Sequence, residues 1–187
     1  FEYDNRLYFT LERAVQQKAL IVESSTRGRS DSLHLQSALT TNEDLPFSFT
    51  LKAAGSVDPS SISEYSLVIL NDAGTVSPGL ADSLSKFVLN GGQIIVATGP
   101  RTEVSSFNNA LQQVMPATLT ESVQLRTGES AAISDVKFDH PIFEVFQKSG
   151  RLAAAHVVGY FRSQPSNTAG VLARFEDGSP ALLESRS

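Results

Sequence analysis

Arg27 and Arg29 lie between Ser25 and Ser30, directly after the apolar run Ala19-Leu-Ile-Val22 and ahead of a helical pattern. Unsatisfied backbone N–H groups at a helix start, joined by a guanidinium, can hold a phosphate or a carboxylate. The same stretch also suits a solvated loop in which Ser30 caps the helix. Asn71 and Asp72 follow a second apolar run, Leu67 to Leu70, and Thr98 and Arg101 follow a third, Ile94 to Ala97. If the strands take the flavodoxin-like order, these exits flank the crevice where strand order reverses, the usual ligand position in open α/β sheets. Asn71-Asp72-Ala-Gly74 also has ordinary turn chemistry, because Asn, Asp and Gly favour tight strand exits without a ligand.

The chemistry open to these residues is limited. The chain has no Cys, which excludes thiol nucleophiles, disulfides and thiolate metal sites. Thr98 is the hydroxyl at its turn and would need an adjacent base to become a nucleophile. His34, His140 and His156 are isolated, with no carboxylate at ligand spacing, so no metal site is expected. Glu23-Ser-Ser25 has the outline of an Asp-x-Ser-x-Ser metal loop but fails at its first and last positions. No cofactor motif is read, and the binding expectation is a small anionic ligand held by Ser25, Arg27, Arg29, Asn71, Asp72, Thr98 and Arg101.

Buried strands alternating with amphipathic helices are required to place those turns together. Ala19 to Val22 and Leu67 to Leu70 read as strands buried on both faces, Phe47, Phe49 and Leu51 as a half-exposed one, and Ile94 to Val96 as another buried strand. Leu35, Ala38 and Leu39 mark a first helix. Ser77 and Pro78 begin a second, with Leu80, Leu84, Phe87 and Val88 on one face and Asn90-Gly91 as its stop. Val104, Phe107, Leu111 and Val114 predict a third, ended by Pro116. Such alternation needs a mostly parallel sheet with helices on both faces, a three-layer α/β sandwich. Beyond Pro116 the pattern turns strand-rich, at 119–125, 131–133, 154–161, 171–175 and 181–183, which predicts an antiparallel elaboration on the sheet edge. Asp139-His140-Pro141 predicts a helix start with Ile142, Phe143 and Phe146 on its buried side; His34 is expected to be exposed.

Composition narrows the partners. In 187 residues with a net charge of −5, the acidic groups are spread along the chain and the arginines are scattered, so no nucleic-acid footprint is present. The longest apolar runs fall far short of the roughly 20 residues a membrane span needs, so no insertion of this segment is expected. Residues 1–17, where Leu7, Phe9 and Leu11 alternate, read as a strand or linker from an upstream domain, and 18–187 as one α/β domain cut short at Ala181 to Ser187.

Ala19-Leu-Ile-Val22, Leu67-Val-Ile-Leu-Asn-Asp72, Phe87-Val-Leu-Asn-Gly-Gly-Gln-Ile-Ile-Val96 and Asp139-His-Pro-Ile142 together resemble the class I glutamine amidotransferase-like superfamily over about residues 18–187. The nearer likeness is to trehalose-utilisation-type members and to the amidotransferase-like domain of bacterial aerotolerance-type membrane proteins. In the latter, the domain looks like an insert among a von Willebrand A domain, β-sandwich segments and transmembrane helices. The superfamily's enzymes place a Cys at the turn after the strand that here is Ile94 to Ala97, with His and Glu supplied from near the C-terminus. Here that turn is Thr98-Gly-Pro100, and the C-terminal His-Pro-Glu signature is absent. The resemblance therefore implies a catalytically silent interaction or ligand-sensing module, partnered by neighbouring domains of a membrane-anchored parent, with a periplasmic location left open. Two alternatives stand beside it: a sugar-related enzyme of the trehalose-utilisation type using Asp72, His140 or His156 without a Cys, and a structural spacer.

Overall fold

The computed structural model describes residues 16–25, 32–40, 47–147 and 155–186. Arg27, Arg29, Ser30 and the alternating segment at Leu7 to Leu11 lie outside the described residues. Strands β1 (Gln17–Glu23), β2 (Phe47–Ala53), β3 (Leu67–Asn71) and β4 (Gln93–Ala97) form a wholly parallel sheet in the order β2-β1-β3-β4. Ala19, Leu20, Ile21 and Val22 are at most 1% exposed because β1 is flanked by strands on both edges and covered on both faces. This is the flavodoxin-like order, with strand order reversing between β1 and β3.

One face of the sheet packs Ala19, Ile21, Leu67 and Ile69 under Leu35 and Leu39 of helix α1 (Leu33–Thr40). The opposite face buries Leu20, Val22, Val68 and Leu70 against helices α2 (Pro78–Leu89) and α3 (Val104–Leu111) and a 3-10 helix at Pro59–Glu64. Each such aliphatic side chain contributes about 2 kcal/mol when removed from water. The crossover from β2 to β3 thus runs through 3-10 turns, started by Asp58 accepting from the Ser60 N–H and by Pro59 at the first position. Helix α2 begins and ends as its sequence predicts. Ser77 accepts from the Leu80 N–H, Pro78 opens the first turn, and Asn90 leads into Gly91 at φ +88. Gly92 is required for a different reason, since a Cβ there would sit 2.4 Å from the Phe87 ring.

Two expectations about β4 and α3 need correction. β4 is the sheet edge, and instead of being buried it alternates exposed and half-buried residues, with Ile95 53% exposed. Helix α3 stops at Leu111: the chain tightens through Val114 N→Leu111 O and turns before Pro116, although Val114 still packs on the core. The residue before a proline is driven toward extended backbone, so the helical pattern outlasts the helix.

The antiparallel part forms its own sheets and makes no extension of β4. Strands β5 (Ala117–Gln124) and β7 (Gly159–Pro165) pair, and β6 (Ile133–Val136), β8 (Gly170–Phe175) and β9 (Pro180–Glu184) form a second sheet. β7 thus starts later than the predicted strand at 154–161, and Val157 contributes only a bridge to Ala131. Asn108 on α3 bonds the Leu119 backbone in both directions, at 2.8 and 2.9 Å, and fixes β5 beside the parallel domain. The two antiparallel sheets are joined at the β8–β9 turn, where Asp177 accepts from the Tyr160 hydroxyl at 2.8 Å and faces Arg162 at 3.4 Å. A 3-10 turn at Pro141–Phe143 leads into helix α4 (Glu144–Gln147), with His140 as its cap. Its tighter winding turns Phe143 inward and leaves Ile142 51% exposed, contrary to the predicted buried side.

Candidate functional site: the corner between β3 and β4

Strands β1, β3 and β4 all end on the same side of the sheet, and their ends and the loops leaving them carry Ser25, Asn71, Asp72, Thr98 and Arg101. Asp72 exits β3 with φ +44, a left-handed conformation that Asp tolerates better than most side chains. Its own N–H donates to the Ala97 carbonyl at 2.8 Å, which holds the exits of β3 and β4 together. The backbone N–H of Arg101 donates to both carboxylate oxygens of Asp72, at 3.0 and 3.3 Å, and Arg101 Nη1 lies 3.2 Å from Oδ2. The Thr102 hydroxyl is 3.4 Å from Oδ1 and accepts from the Gly99 N–H at 3.1 Å. Gly99 is obligatory by close approach: a Cβ there would lie 2.6 Å from Asp72 Cγ. The side chain of Asp72 is 10% exposed and that of Arg101 is 49% exposed.

The next turn is filled in the same way. Glu103 caps α3, accepting from the N–H groups of Ser106 at 2.8 Å and Ser105 at 3.1 Å. Those Ser106 bonds first, then those of Ser105, pull its pKa down to about 2. The amide donors at the start of α3 are thus satisfied by the chain's own carboxylate.

A second polar cluster closes the β1 side. The Ser32 N–H donates to Glu23 Oε2 at 3.1 Å, and Asn71 Nδ2 donates to the Ser32 hydroxyl at 3.0 Å, with Glu23 and Ser32 fully buried. Ser32 in turn starts α1 by accepting from Gln36 N at 2.7 Å. Gly74 takes φ +66 beside this cluster, where an added Cβ would meet Ser24 Cβ at 3.5 Å and Arg101 Cβ at 3.9 Å. Ser24 Oγ is buried there with no hydrogen bond to a described residue.

Of the predicted residues, the structure joins Asp72 to Arg101 and puts Asn71 in the neighbouring cluster. Thr98 and Ser25 are exposed on the same edge, and among the described residues no side chain bonds the Thr98 hydroxyl. His140 Nε2 pairs with Glu184 at 3.3 Å and His156 Nδ1 meets Ser130 at 3.0 Å, both on the antiparallel part; His34 is exposed on α1 as expected. Glu23, Ser32, Thr102 and Glu103 were missed by sequence reasoning. For Glu23 a signal existed, a carboxylate directly after a buried parallel strand. Clefts of about 430 Å³, between Pro59–Ser66 and the end of α2, and about 290 Å³, beside α3 and β5, lie away from the corner. Among the described residues no group of three His, Cys, Asp or Glu could hold a metal ion, and no helix is long and apolar enough to cross a membrane.

Comparison with known proteins places the fold. No family model matches the chain, and no curated protein matches it in sequence. Two proteins from Salmonella typhimurium, each described as cytoplasmic, share the fold: one at TM-score 0.65 and 14% identity over 89% of this chain and 81% of its own. The other has TM-score 0.63 and 16% identity over 89% and 82%. A ThuA-like protein from Bacteroides uniformis aligns at TM-score 0.50 and 14% identity, covering 91% of this chain and 72% of that one. A β-galactosidase from G. stearothermophilus aligns at TM-score 0.54 and 13% identity, over 90% of this chain but 25% of its own. At these identities the likeness is one of fold, and the fold is a flavodoxin-like α/β sandwich.

Proposed function

We propose that this chain is a catalytically silent, amidotransferase-like module that works by binding, as an interaction or ligand-sensing part of a larger membrane-anchored bacterial protein. The observation that carries this reading is the filled corner. Where a related enzyme would direct backbone donors at a reacting group, the Arg101 N–H, the Arg101 guanidinium and Thr102 are turned onto Asp72, and the α3 start is turned onto Glu103. A threonine hydroxyl with no adjacent base has no route to become a nucleophile. The embedding draws support from the β-galactosidase likeness, in which this fold accounts for 25% of a much longer chain.

A second reading, a sugar-related enzyme of the trehalose-utilisation type, draws on the ThuA-like neighbour. It would use Asp72, His140 or His156 without a Cys, and Asp72 is held by Arg101 and Thr102 while His140 and His156 are engaged on the antiparallel part. The gene's flanks test the module reading. Transmembrane segments and a von Willebrand A domain on either side are expected; a start codon directly before Phe1 with a stop after Ser187 would overturn it.

A further inference from the structure

We infer that the β3–β4 corner is a carboxylate-binding site held shut by the chain's own Asp72. The inference rests on the reading of the corner as catalytically silent and adds what the corner recognises and what blocks it. Asp72 is held as a bound anion would be: two contacts from one backbone N–H, at 3.0 and 3.3 Å, a guanidinium nitrogen at 3.2 Å and a hydroxyl at 3.4 Å. These donors come from Arg101 and Thr102, on a different loop from Asp72, so the cradle is built without the group that fills it. Thr102 on Oδ1 and the guanidinium on Oδ2, with one N–H shared between them, suit a carboxylate, which accepts donors at both oxygens. Gly99 presses against the Asp72 side chain, so removing that side chain would open space beside the donors. At φ +44 a glycine at position 72 would keep the backbone path without strain. An external carboxylate enters only by displacing Asp72, which makes the contact autoinhibitory.

The experiment is chemical rescue of Asp72→Gly in the full chain. Removing the carboxylate to which the part-buried Arg101 N–H and the Thr102 hydroxyl donate is expected to lower Tm by roughly 5 °C. Sodium acetate on the order of 100 mM should restore Tm in D72G, saturably, because a ligand that binds only the folded state stabilises it by mass action. The wild-type chain and Asp72→Asn, whose cradle stays filled, should show no acetate-specific rise over sodium chloride. If D72G is unfolded in chloride, the same titration is followed by circular dichroism, and refolding by acetate supports the inference. An equal response to acetate and chloride in D72G, an equal acetate-specific response in wild type and variant, or no response in D72G would overturn it. None of these outcomes bears on the reactivity of Thr98, which covalent labelling reads separately.

Discussion

Asp72 and Gly99 define each other. The glycine has no left-handed φ to justify it; it is there because a methyl group would overlap the Asp72 carboxylate carbon. Gly99→Ala must therefore push the carboxylate off the Arg101 N–H, and destabilisation of about 1–3 kcal/mol is expected by urea unfolding. An unchanged midpoint would show that the corner does not close on Asp72. The sequence placed Asp72, Thr98 and Arg101 on one rim on the condition that the apolar runs before them are parallel strands in the flavodoxin-like order, which the sheet adopts. It could not show that Asp72 takes the donors of Arg101 and Thr102. That pairing depends on a left-handed turn at an ordinary residue and on the β3–β4 register, neither of which leaves a mark on residue type. Glu103 was hidden for a related reason: Glu is an uncommon helix cap, and its role follows from the backbone N–H groups of Ser105 and Ser106 in the first turn of α3.

Strand identity was legible where a run was long and flanked by turn residues, but its place in the sheet was not. Ile69 and Ile95 are register partners on β3 and β4, yet one is 4% exposed and the other 53%. Both sit in uninterrupted apolar runs, which look alike whether a strand is central or at an edge. Truncating Ile69 to Ala should cost about 2–5 kcal/mol, whereas Ile95→Ala should stay within about 0.5 kcal/mol in the isolated chain. Equal losses in thermal unfolding would mean that β4 is not an edge. Helix α2 was legible at both ends because Ser-Pro and Asn-Gly-Gly each have a specific backbone consequence. The β8–β9 turn carries a further test. The Ser179 N–H, followed by the Tyr160 hydroxyl, pulls the Asp177 pKa from 3.8 down to about 2, as the α3 amides do for Glu103 from 4.5. Depressed carboxylates favour the folded state above their ordinary range, and that contribution is lost as pH falls toward 2. Carboxyl-carbon NMR should find both groups still ionised at pH 3; midpoints near 4 would remove these caps from the account.

The molecule as a whole is a parallel four-stranded unit joined through α3 and Asn108 to a separate antiparallel portion. The alternation of strands and helices made the first part legible, since parallel strands demand crossovers. The second part was legible as strands but not as separate sheets, because antiparallel pairing leaves little trace beyond local alternation. The proposed function joins these scales at the corner: a fold that in the β-galactosidase forms part of a longer chain, a β4 exit that carries Thr98, and donors already committed to internal carboxylates. The most direct measurement is covalent labelling of the wild-type chain with an alkyl fluorophosphonate, which reacts with activated hydroxyl nucleophiles, read by intact mass and peptide mapping. The expected result is no adduct at Thr98. A one-to-one adduct on Thr98 that vanishes in Thr98→Ala would mean an active hydroxyl at the corner, and the account of a silent binding module would be wrong.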